Sequence, residues 1–151
     1  MLYEHRQPAP QLVGSYSAMA VMSAGSALYL SLHQPASPIP YLSLSVMAIA
    51  LGISAAAVGS LSVRVDAHRI MIRFGPGWVH KEIELSTVAS AQEVRNPWYF
   101  GWGIHYIGGG WLYNVAGREA VELRLKNGGR ARIGTDEPAA LAAAIRSAII
   151  R

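Results

Sequence analysis

Ser62-Val63-Arg64-Val65-Asp66, Ala67-His68 and Arg69-Ile70-Met71-Ile72-Arg73-Phe74 form the stretch that decides the fold. Apolar and polar residues alternate here, the period of a strand with one face buried and the other wet. Ala67-His68 is the expected turn between two such strands. Upstream the period and the composition both differ, so the architecture changes close to Val63.

From Gln7 to Val63 there is no Asp, Glu, Lys or Arg, and His33 is the sole imidazole. A folded domain in water must solvate most of its surface, so so long an uncharged run points to a different solvent. His33-Gln34-Pro35-Ala36-Ser37-Pro38-Ile39-Pro40 divides the run, because its three prolines cannot continue a helix. Gln11 to Leu32 and Tyr41 to Val63 are each long enough to span roughly 30 Å of hydrocarbon at about 1.5 Å per residue. The first is diluted by Ser15, Ser17, Ser23, Ser26 and Ser31. With Leu and Val contributing only about −0.3 to −0.6 kcal/mol each, it is expected to insert together with its stronger partner as a hairpin.

In the second segment Ala48, Gly52, Ala56 and Ser60 recur every four residues, a stripe that permits close helix packing, with Ala20, Ala24 and Ala27 as mates. Ala-rich helices also produce such spacings by chance. The connector carries no basic residue, whereas Arg6 precedes the hairpin and Arg64, Arg69, Arg73 and Lys81 follow it, which predicts both termini in the cytoplasm. A signal-peptide reading of the first segment meets an apolar stretch too long for that role. The expected division is a cytoplasmic tail over 1–10, a two-helix transmembrane hairpin over 11–63 with its loop at 33–40, and a cytoplasmic domain over 64–151.

That domain holds twelve Lys or Arg against eight Asp or Glu, an imbalance suited to an anionic surface but too dilute for a nucleic-acid partner. The absence of cysteine excludes disulfides, thiolate zinc sites and cysteine nucleophiles. Further strands are expected at 78–85 and 87–94. A hairpin is expected at 120–126 and 130–134 about the turn Asn127-Gly128-Gly129, with Val121, Leu123, Leu125, Ala131 and Ile133 inward. A three-residue loop sets Lys126 opposite Arg130 and Arg124 opposite Arg132 on the outer face, where Glu119 and Glu122 are available to balance them. Thr135-Asp136-Glu137-Pro138 opens an amphipathic helix whose stripe is Leu141, Ile145 and Ile149.

The two spans, the alternation after Arg64, Arg95-Asn96-Pro97-Trp98-Tyr99-Phe100-Gly101-Trp102-Gly103-Ile104, Gly110-Trp111-Leu112-Tyr113-Asn114-Val115 and Arg132-Ile133-Gly134-Thr135-Asp136-Glu137-Pro138 together resemble small bacterial membrane proteins with a pleckstrin-homology-like domain. The resemblance runs over nearly the whole chain. It implies a mainly-β, half-open barrel of about seven strands capped by the C-terminal helix, in the bacterial inner membrane. It carries over no catalytic residue and no lipid specificity, since fold does not fix ligand.

No G-x-S-x-G, Walker A or H-E-x-x-H occurs, and the five histidines are scattered singly, so catalytic, cofactor-binding and metal residues are expected to be none. Gly101-Trp102-Gly103 and Gly108-Gly109-Gly110 lack the strand-loop-helix context of a phosphate loop and are read as turns in a long loop. Two clusters exceed background. Seven of the thirteen aromatics fall between Trp98 and Tyr113, with Trp98, Tyr99, Phe100 and Trp102 as candidate interface residues and core packing as the competing reading. Arg124, Lys126, Arg130 and Arg132 are the candidate contacts to an anionic surface. The function expected is a non-catalytic, membrane-anchored binding or scaffold module, contacting lipid headgroups or another membrane protein and no nucleic acid. The alternatives are a structural subunit that homo-oligomerises in the membrane and an accessory subunit of a membrane enzyme.

Overall fold

The computed structural model describes residues 2–34 and 37–150. Met1, Arg151, and Pro35 and Ala36 of the connector lie outside the described residues. The chain begins with a strand, β1 (Tyr3–Pro8), then runs through two helices, α1 (Pro10–His33) and α2 (Ile39–Ala57), into β2 (Ser60–Val65). β1 and β2 pair antiparallel from Tyr3 opposite Val65 to Pro8 opposite Ser60. The helical pair is therefore an insertion at the tip of a β-hairpin. Within the segment expected as an N-terminal tail over 1–10, Tyr3–Pro8 form a sheet strand, and the segment expected to be helical to Val63 turns into strand at Ser60. The physical cause is one and the same, since Ser60, Leu61 and Val63 have β1 as a partner and Ala9 N–H donates to Gly59 O at 3.0 Å.

β3 (Arg69–Phe74) and β4 (Val79–Glu84) complete a four-stranded meander in the order β1-β2-β3-β4. The second sheet comprises β5 (Val88–Arg95), β6 (Gly103–Tyr106), β7 (Gly110–Asn114), β8 (Glu119–Leu125) and β9 (Arg130–Gly134) in the order β5-β8-β9-β7-β6. Only β7 and β9 pair in parallel. The long loop expected around 101–110 is thus the β6–β7 hairpin. Gly110 allows it to lie there, because a Cβ at that position would collide with the carbonyl of Arg130 on β9. Nine described strands in two sheets replace the expected seven, and no closed barrel forms.

The inward faces share one core. Leu61, Val63, Val65, Ile70, Ile72 and Phe74 meet Ala91, Val121, Leu123, Ala131 and Ile133, and α3 (Pro138–Ile149) closes the gap with Leu141, Ala142 and Ile145. Tyr3 and His5 point inward from β1 and reach the start of α3. His5 Nε2 lies 2.7 Å from Asp136 Oδ1, and Tyr3 Oη donates to Glu137 Oε2 at 3.3 Å. Burial, with help from these carboxylates, pushes the Tyr3 phenol up to about 12, so it stays neutral and a donor.

Ser23 and Ala27 of α1 and Ala55 of α2 are buried at the helix contact, flanked by half-buried Val13, Tyr16, Ala20 and Leu30 and by Leu44, Ala48 and Leu51. On α1 these positions step by three and four, the seam of a closely packed antiparallel pair. Val21, Met22, Leu28, Ile39, Val46, Ile49 and Ile53 face outward and are exposed. Among the described residues α2 alone is long and apolar enough to cross a membrane. α1 has the length, but its serines leave it short of that apolarity, so two clear transmembrane helices are not present.

Phe74→Ala, which empties a fully buried site, is expected to cost about 3–5 kcal/mol of stability, whereas exposed Trp78→Ala should cost about 0.5 kcal/mol or less. Thermal unfolding of the two variants in detergent checks this; comparable losses would contradict the assigned core.

Candidate functional site

β5 ends at Arg95, and Pro97 launches a single 3-10 turn, Trp98–Phe100, before the chain re-enters the sheet at Gly103. Trp98 is 79% exposed and Tyr99 68% exposed, too open for the core-packing reading. Phe100 is half-buried, with the Arg132 guanidinium 5.6 Å from its ring centroid. Trp102 donates its indole N–H to Gly117 O at 3.3 Å, which fixes the ring while leaving it partly open. The four predicted aromatics are therefore brought together with divided roles. Trp98, Tyr99 and Trp102 face outward, and Phe100 supports the turn from within.

The location of this tip matters more than its exposure. Gln11, in the first turn of α1, lines one recess of about 420 Å³ with Asn96, Trp98, Trp102 and Arg118. The aromatic turn is thus beside the base of the helical pair. A second exposed aromatic lies at that end. The turn between β3 and β4 packs Gly75, at φ +50°, against the Ala56 and Ala57 carbonyls that end α2, leaving no room for a side chain there. Trp78 and Val79 follow within four residues and are exposed. Sequence reading missed Trp78 by treating it as the first residue of a strand. The signal was a tryptophan directly behind Gly75-Pro76-Gly77, a turn too tight to bury a large ring.

The cationic ribbon differs from expectation. Arg124 pairs with Arg130, and Glu122, not Arg124, lies opposite Arg132. Lys126 leaves the ladder because its N–H donates to Thr87 O at 2.8 Å, and Asn127 Oδ1 accepts from Gly129 N at 3.0 Å. The connection is therefore 126–129, one residue longer than expected. Buried Glu122 sits 2.7 Å from Arg132 and 3.9 Å from both Arg124 and Arg130. Three guanidiniums converge on one carboxylate, and Arg132 adds a 3.1 Å bond to Asn96 Oδ1 below the aromatic turn. Arg132 is therefore a strut for that turn.

Lys126 lies at the opposite end of the domain from the helices. It borders a recess of about 590 Å³ with the Asp66–His68 turn, Ser86 and the end of α3, and that turn is separated from Ser60 by the length of β2, about 17 Å. The small-residue stripe is split as well. Ala48 lies at the helix contact, Gly52 and Ala56 face outward, and Ser60 is buried in β2, where Arg6 Nε donates to its hydroxyl at 3.0 Å. Of the proposed mates, Ala20 and Ala27 are at the contact and Ala24 is exposed.

Compared with known proteins, the chain matches no family model, and no curated protein matches it.

Removing the central carboxylate by Glu122→Gln leaves Arg132 without its ion pair, for an expected loss of up to about 3 kcal/mol, while exposed Arg124→Gln should change stability by about 0.5 kcal/mol or less. Denaturant midpoints of the two variants measure the difference, and similar midpoints would deny Glu122 its organising position.

Proposed function

We propose that the chain is a membrane-anchored binding module without catalysis, its β domain seated on the bilayer by the end that carries Trp78, Trp98, Tyr99 and Trp102. The observation that carries this reading is the coincidence of exposed aromatics with the base of the apolar helix α2. Trp and Tyr have an apolar body and a polar tip, which suits them to the zone between hydrocarbon and water. α2 spans about 28 Å at 1.5 Å per residue, close to the roughly 30 Å of the hydrocarbon layer. Its large outward side chains would be an extensive apolar surface in water, and they are solvated favourably by lipid tails.

In this reading α1 crosses alongside α2, with Ser23 and Ala27 buried on α1 and Ala55 on α2 along the helix contact. Arg6 and Arg73 lie near the helix bases, and with Arg64 and Arg69 farther out on the same side of the hairpin they favour a cytoplasmic placement of that side, in keeping with the bacterial inner membrane implied by the resemblance. The occupants of the site are lipid headgroups. A homo-oligomer is the second reading, favoured by outward Gly52 and Ala56, which present a small-residue surface to a neighbouring helix.

The chain has no cysteine, so single introduced thiols report topology cleanly. A cysteine at Ser37 should label from outside intact cells, and one at exposed Ser147 only after permeabilisation. The reverse pattern, or release of the protein from membranes by alkaline carbonate, would overturn the reading.

A further inference from the structure

The register of the first sheet sets Arg6 opposite Ser62, Ser62 opposite Arg73, and Arg73 opposite His80. These four residues form a row across the outward face, because Leu61, Val63, Ile72 and Phe74 beside them point into the core. The row is free of carboxylates. The next row away from the helices, Glu4, Arg64, Met71 and Glu82, already contains two, and Arg69 beyond it faces Glu84. Charge on this face is thus graded, cationic near the helices and mixed farther off.

Neither Arg6 nor Arg73 has a carboxylate partner among the described residues, whereas Arg64, Arg69, Arg95, Arg124, Arg130, Arg132 and Arg146 each lie near one. The Arg6 bond to Ser60 Oγ uses Nε and draws the guanidinium toward the helix side. Arg73 borders a recess with Ser62, Gly75 and Gly77, lined also by Glu4 and Arg64 of the next row, beside the turn that delivers Trp78. A guanidinium presents a planar fork of donors that matches a phosphate, and two of them with a hydroxyl between suit a phosphodiester.

The height of the row selects the source of that phosphate. It lies two residues beyond the Pro8–Ser60 pair at the helix base, a rise of at most about 7 Å. The headgroup layer on each side of a bilayer is roughly 5–7 Å deep, the difference between its full and hydrocarbon thickness shared by two leaflets. The first row therefore falls within the phosphate layer and the acidic rows fall beyond it.

We infer that Arg6, Ser62, Arg73 and His80 form a strip that binds the phosphates of anionic phospholipids, with Trp78 and Val79 anchoring its outer edge. This rests on the proposed membrane seating. It moves the anionic contact from the Arg124–Arg132 ribbon to a face of the other sheet.

The test uses the full chain reconstituted into phosphatidylcholine vesicles, with Trp78 as the one remaining tryptophan. Brominated phosphatidylglycerol and brominated phosphatidylcholine are compared as quenchers. The acidic lipid should quench preferentially, and the preference should fall about fivefold for Arg6→Gln or Arg73→Gln, reach parity in the double variant, and persist when both are lysine. Arg124→Gln should leave it unchanged. Equal quenching by the two lipids in a chain that cofloats with the vesicles would overturn the strip while leaving the membrane reading intact. Failure to cofloat would overturn the membrane reading itself. Loss of the preference on adding inorganic phosphate at constant ionic strength would show a site for the free anion, and would overturn the lipid assignment.

Discussion

The pairing of β1 with β2 is the constraint on which the rest depends. It joins residues on either side of the helical pair and sets Pro8 against Ser60, where the two helices begin and end. Closing a loop of roughly fifty residues costs about 3–4 kcal/mol in chain entropy, and the packing of α1 on α2 offsets part of that by stiffening the insertion. Both helix bases consequently emerge from one end of neighbouring strands in one sheet. The turns near that end, Gly75–Trp78 of the first sheet and Trp98–Phe100 of the second, are held there by the packing of Gly75 against the end of α2 and by the struts from Arg132 and Trp102.

The two ends of the β domain are chemically unlike. At the helix end, exposed aromatics accompany guanidiniums that lack carboxylate partners. At the far end, Asp66, Arg69 and Glu82 form ion pairs around a wide recess, and Lys126 borders it. Exposed pairs of this kind contribute little to stability, so the far end is polar surface rather than structural cement. The asymmetry follows from register: a one-residue shift of β1 would turn Arg6 into the core and Gln7 out to solvent.

Much of the secondary structure was legible in sequence. Alternation in Arg69–Phe74 and the four-residue stripe of Leu141, Ile145 and Ile149 gave β3 and α3, because in each a single face is buried. β1 was hidden, since Tyr3-Glu4-His5-Arg6-Gln7 has few apolar residues and its inward Tyr3, His5 and Gln7 are polar. Those side chains gain partners only through distant segments, His5 at Asp136 and Gln7 at Ala116 O. The ribbon register failed because Lys126 bonds to Thr87, a long-range contact that no local turn rule contains. The aromatic turn was legible as a cluster, while its position beside Gln11 required the fold. Trp78 and the Arg6–Ser62–Arg73–His80 row depend wholly on strand pairing, which brings together residues far apart in sequence.

The central claim is that the helix-side end of the β domain, and not its far end, lies at the membrane surface. Nitroxide labels on cysteines placed at Tyr99 and at Ala67 test it most directly in the reconstituted chain. The account predicts that Tyr99 is shielded from a water-soluble relaxation agent and accessible to oxygen, while Ala67 relaxes as a label in free solution. Equal exposure of the two sites to the aqueous agent would contradict it.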